Sequence, residues 1–172
     1  ICTSCAVNSQ PQALGSANLG LPDLTALGSG KAAAGILAQE ANQFGQSGPG
    51  VMPLGSDAAY TPTPGQAAWA IYEFAVDETQ QVLSATYTAT ALDSSSPVWV
   101  AISDFTGNRW RIVSSPDLSA QFDFSEPAGT FSNGASVFLA VIAFEQNITL
   151  DSVAIDTDEI ANPNEPPVAQ GQ

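Results

Sequence analysis

The chain has 172 residues, a formal net charge of −14, 17 acidic residues, no histidine and only three cationic side chains, Lys31, Arg109 and Arg111. Catalysis that uses histidine as its base is excluded, and three cations release too few counterions from phosphate to hold nucleic acid. Apolar residues make up 44% of the chain and charged ones 12%, enough for one domain with a substantial core, but no apolar run reaches the length of a membrane-spanning helix.

From the start, residues 1–20 are rich in Ser, Asn, Gln, Gly and Pro and read as a leader or linker. Cys2 and Cys5 stand within it. Pro11 and Gly15 follow instead of a helix, Ala6 stands where a haem attachment needs histidine, and no further Cys or His completes a zinc site. A short local disulfide, or two free thiols, is what the pair offers. Ser29 is placed to cap a helix over 31–44, with Gly45 beyond its end. The stretch 45–64 holds four Gly and four Pro and reads as loop, so residues 1–65 form an N-terminal extension.

Strand patterning begins after position 65. Ala68, Ala70, Tyr72, Phe74 and Val76 share one face of a strand, opposite Trp69, Ile71 and Glu73. In 82–91, Leu83, Ala85, Tyr87 and Ala89 alternate with Ser84, Thr86, Thr88 and Thr90, the pattern of a strand wet on one side. Asp93 to Pro97 is a turn. Val98 to Phe105 and Arg109 to Val113 form a hairpin about Thr106-Gly107-Asn108. A short strand follows at 119–124, then an apolar one at 136–145 covered on both faces, then an alternating one at 148–156. Seven or eight strands at this spacing predict a mainly β protein, an antiparallel, jelly-roll-like β-sandwich over 66–157. Residues 158–172, with Asn162-Pro163-Asn164-Glu165-Pro166-Pro167, read as a Pro-rich linker to a downstream domain.

Asn164-Glu165-Pro166-Pro167-Val168-Ala169 resembles the opening of PKD-type and related immunoglobulin-like repeats of bacterial surface proteins. Residues 66–156 resemble an uncharacterised module of large secreted bacterial proteins and lipoproteins. The likeness rests on 68–74, 98–105, Gly107 to Trp110, 137–144 and 148–153. It implies an exported, multidomain parent at the cell surface or outside the cell, and carries no catalytic motif.

The remaining chemistry is sparse. Asp93, Asp104, Asp117, Asp123 and Glu126 sit at or near turns, where carboxylates serve local hydrogen bonds, and nothing in the sequence pairs two of them for hydrolysis. Trp69, Trp99 and Trp110 are the binding candidates, because an exposed indole stacks on the apolar face of a sugar. Arg109 and Arg111 flank Trp110 and share one strand face, ready to pair with a ligand's carboxylates. The plainer expectation is packed indoles, with arginines paired to the chain's own acids. Asp151, Asp156, Asp158 and Glu159 offer oxygen ligands for calcium, without the spacing of an EF-hand, and a solvated acidic strand end explains them more simply. No other cofactor is expected. Three readings follow: a non-catalytic structural or adhesion module, a carbohydrate-binding module, and a subunit that assembles by strand exchange. The partners expected are polysaccharide or neighbouring protein domains.

Overall fold

The computed structural model describes residues 19–28 and 32–159. Among the described residues eleven strands are formed: β1 (Ala38–Glu40), β2 (Gln46–Ser47), β3 (Val51–Leu54), β4 (Asp57–Tyr60), β5 (Ala68–Ala75), β6 (Gln80–Leu92), β7 (Val98–Asp104), β8 (Arg109–Ser115), β9 (Ser119–Asp123), β10 (Ser136–Ala143) and β11 (Ile148–Glu159). Two 3-10 turns, Leu24–Ala26 and Ala41–Gln43, accompany them.

One sheet has the order β3-β4-β11-β6-β9 and the other β2-β5-β10-β7-β8. Renumbered one to eight, β4 to β11 run 1-8-3-6 in the first sheet and 2-7-4-5 in the second, the winding of a jelly roll. The paired strands are antiparallel throughout. The sandwich read from the alternation is therefore present, and residue alternation explains its core. Tyr72 and Phe74 of β5, Tyr87 of β6, Val100 and Ile102 of β7, Leu139 and Val141 of β10 and Val153 of β11 turn inward and are fully buried. Burial of each large apolar side chain contributes roughly 1.5–3 kcal/mol before chain entropy is subtracted. Buried hydroxyls in this core find partners. Tyr72 Oη donates to the carbonyl of Ala41 at 2.7 Å and lies 2.9 Å from Tyr60 Oη.

The expected helix over 31–44 is not formed. Gly35 has φ +79°, and residues 38–40 are a strand. Ala38 and Glu40 of β1 lie opposite Ala154 and Ser152 of β11, and Ile155 N donates to Leu37 O at 2.9 Å. A free strand edge thus outweighs the helical preference of Ala32 to Ala34, a small local bias that tertiary pairing overrides.

The expected loop over 45–64 carries β2, β3 and β4. Pro53 is accommodated because β3 is the outermost strand of its sheet, where a missing N–H costs no ladder bond. β11 pairs with β6 along its length, and its other edge is shared by β4 at 148–150 and β1 at 152–154. Residues 38–60, read as part of an extension, therefore complete both sheets. The last strand also runs further than expected, to Glu159.

Candidate functional site

The indoles lie on the outer face of the β2-β5-β10-β7-β8 sheet, not in its interior. Ile142 of β10 stands opposite Trp69 of β5 on one side and Trp99 of β7 on the other. Trp110 of β8 is opposite Ser103 of β7. With Ile71, Ala101, Phe138 and Ala140 these residues make a second apolar cluster, on the side of the sheet away from the main core.

Residues 19–28 cover it. Leu19, Leu21 and Leu24 are buried in the cluster, and Leu27 packs at its margin. Gly20, at φ +75°, lies beside the Trp69 indole. Pro22 reaches the other edge of the sheet, where its carbonyl accepts from Trp110 Nε1 at 2.9 Å. Gly28 returns to the side of Ile71 and Gln46. The segment is a strap of leucines laid over an aromatic sheet face. Its effect is decisive for the stacking expectation: Trp69, Trp99 and Trp110 keep 6%, 5% and 7% of their surface exposed. An open sugar platform needs an uncovered ring, and here apolar side chains of the same chain occupy that position.

Arg109 and Arg111 project from the opposite face of β8, since their partners are Asp104 and Ile102 of β7. Arg109 Nε lies 3.3 Å from Asp104 Oδ2, while Asp104 Oδ1 accepts from Gly107 N at 2.7 Å. Asp104 is thereby the clasp of the β7–β8 turn, in which Asn108 has φ +50°. Arg111 forms an ion pair with Glu126, and its guanidinium sits 5.7 Å from the centre of the Phe124 ring. Both cations are spent on internal partners.

The acids considered for calcium are strung along one strand. Asp151 lies in an irregular stretch of β11, Asp156 opposite Ser84, and Asp158 opposite Gln81. At roughly 3.3 Å of rise per residue, Asp151 and Asp156 are separated by about 16 Å of strand. Among the described residues no three acidic, Cys or His side chains converge on a point a metal could occupy. The side chain of Glu159, and Cys2 and Cys5, lie outside the described residues.

A different group converges at positions far apart along the chain. At one end of the sandwich the β4–β5, β6–β7 and β10–β11 loops line an open surface cavity of about 380 Å³, with Thr63, Asp93, Glu145 and Asn147 exposed along it. It is lined by Pro62, Thr63, Pro64, Gly65, Asp93, Glu145, Gln146 and Asn147. Asp93 and Asn147 tie two of the loops: Asn147 N donates to Asp93 Oδ1 at 2.9 Å and Asp93 N to Asn147 O at 3.3 Å. Gln146, 4% exposed, is held by Ser94 Oγ at 3.4 Å and donates to Ser96 O. Glu145 has φ +60°, a conformation that a side chain with a Cβ resists. Only the jelly-roll winding brings 62–65, 93 and 145–147 together, so their spacing along the chain carries no motif.

No family model and no curated protein matches this chain.

Proposed function

We propose that this chain is a non-catalytic structural or adhesion module of a larger exported bacterial protein. The observation that carries this reading is the strapped outer sheet face. Indoles, the side chains best suited to binding, are used to fix a segment of the chain against the sandwich, so the molecule is sealed on a face that would otherwise be a large apolar patch. Its two described cations pair internally. The resemblance of 164–169 to the opening of immunoglobulin-like repeats supports a place in a series of extracellular domains.

The test is a panel of chromogenic glycosides, esters and peptides incubated with the purified chain. Rates indistinguishable from buffer are expected. Turnover at enzyme-like rates, abolished by a substitution in the chain, overturns the reading. A carbohydrate-binding role is a second reading, and the loop-end cavity is the observation that favours it.

A further inference from the structure

We propose that the cavity at the β4–β5, β6–β7 and β10–β11 end is a sugar-binding site, taking the end of a glycan through hydroxyl or amino groups that donate hydrogen bonds. The inference goes beyond the module reading, which requires no particular ligand.

Size comes first. About 380 Å³ lies at the lower end of small-molecule pockets, roughly 300–1,000 Å³, and suits a chain end better than a long polymer tract. The lining chemistry then narrows the class. Glu145 makes no hydrogen bond or ion pair among the described residues, Asp93 Oδ2 has no donor, and the Asn147 side-chain amide is unused. Thr63 Oγ1 donates to Gln66 Oε1 at 3.3 Å, which leaves its lone pairs for an incoming donor. Acceptors thus dominate, and a sugar edge rich in O–H or N–H complements them. No Lys or Arg lines the cavity, so two carboxylates repel an anionic sugar and favour an ammonium group. Pro62 and Pro64 add aliphatic rings for the apolar face of a pyranose.

The site is also built in advance. The reciprocal Asp93–Asn147 bonds and the buried Gln146 side chain tie the β6–β7 and β10–β11 loops together, and Gln66 N donates to Thr63 O at 2.9 Å within the β4–β5 loop. Preorganisation of this kind reduces the ordering cost of binding. Glu145, in left-handed backbone at φ +60°, supplies one of the two carboxylates that line the cavity.

The experiment is a titration of the ¹⁵N-labelled full chain, read from amide chemical shifts, with glucosamine, N-acetylglucosamine, glucuronic acid and calcium chloride in separate arms. Glucosamine and N-acetylglucosamine are expected to shift amides of 63, 65–66, 93–96 and 145–147. Glu145→Gln is expected to weaken glucosamine at least tenfold with the rest of the spectrum unchanged. Glu145→Gly, which keeps the backbone conformation and removes the carboxylate, is expected to melt no lower than the parent and to lose the same response. Failure of both sugars to move these amides overturns the proposal and leaves the module reading standing. An equal response to glucuronic acid, or a response to calcium alone, overturns it as well.

Discussion

Trp110 Nε1 donates to the carbonyl of Pro22 at 2.9 Å, a bond between residues 88 apart in sequence that ties the leucine strap to the edge strand β8. Among the described residues the strap pairs with no strand through backbone–backbone bonds, so side-chain burial and this bond hold it. Leu24→Ala removes one of its buried anchors and is expected to cost about 2–5 kcal/mol. Trp110→Phe removes the bond, about 0.5–1.5 kcal/mol, together with part of a buried ring, so its total cost exceeds that of the bond alone. Urea denaturation gives the two values. Acrylamide quenching checks the mechanism, since Leu24→Ala should make the indoles accessible while the sandwich remains folded.

The Tyr60–Tyr72 pair predicts the alkaline limit of the fold. Burial pushes both phenols above their usual pKa, Tyr60 well above, and the neighbouring phenol adds to the rise at Tyr60 while its hydrogen bond opposes the rise at Tyr72. The folded chain therefore retains phenolic protons that the unfolded chain releases. Their contribution is full below about pH 10 and is lost as pH rises from there through the folded values, with a slope of up to ~1.4 kcal/mol per pH unit for each group. Denaturant midpoints measured from pH 8 to 12 should fall steeply above 10. Tyr60→Phe should flatten that fall and lower stability at pH 8.

Gly48 and Gly50 are predicted to fail in different ways on mutation to Ala. A Cβ at Gly48 would stand 2.6 Å from the Trp69 indole, so the ring must shift. Overpacking of this sort costs about 1–3 kcal/mol. At Gly50, φ is +84° and the Cβ would meet the Thr61 carbonyl oxygen at 2.4 Å, which is backbone and cannot rotate away. Gly50→Ala should be the more destabilising by thermal melt. Gly48→Ala alone should change the Trp emission of the folded state.

Arg111 is held by two contacts, an ion pair with Glu126 and its place over the Phe124 ring. The Arg111–Glu126 pair is partly exposed, so Glu126→Gln should cost no more than about 1 kcal/mol and less at high salt. Arg111→Ala also loses the contact with the Phe124 ring, about 0.5–1 kcal/mol further. The difference between the two variants should survive molar salt, and a denaturant series at two ionic strengths decides it.

Residue alternation made strands such as β6 and β11 legible, because a pleated chain buried on one side repeats with period two, and an unbroken apolar run marked β10, which is covered on both faces. β7 and β8 were legible as a hairpin because Gly107 and Asn108 suit the turn. β1 to β4 were not. Ala32 to Ala34 suggested helix and the prolines of 45–64 suggested loop, since neither signal contains the open edges of β11 and β5 that these residues complete. The Trp positions were visible as strand residues, but an indole on an outer face is indistinguishable in sequence from an exposed one until something is seen to lie over it.

The sequence by itself determined a β-sandwich without histidine chemistry, because side-chain periodicity and residue inventory are properties of the chain alone. The tertiary structure decided what is covered and what converges. Leu19 to Leu27 bury Trp69, Trp99 and Trp110, and Thr63, Asp93 and Glu145 share one cavity. Both outcomes depend on which strands lie side by side, and that order is set by long-range pairing and burial that no local stretch of the chain encodes.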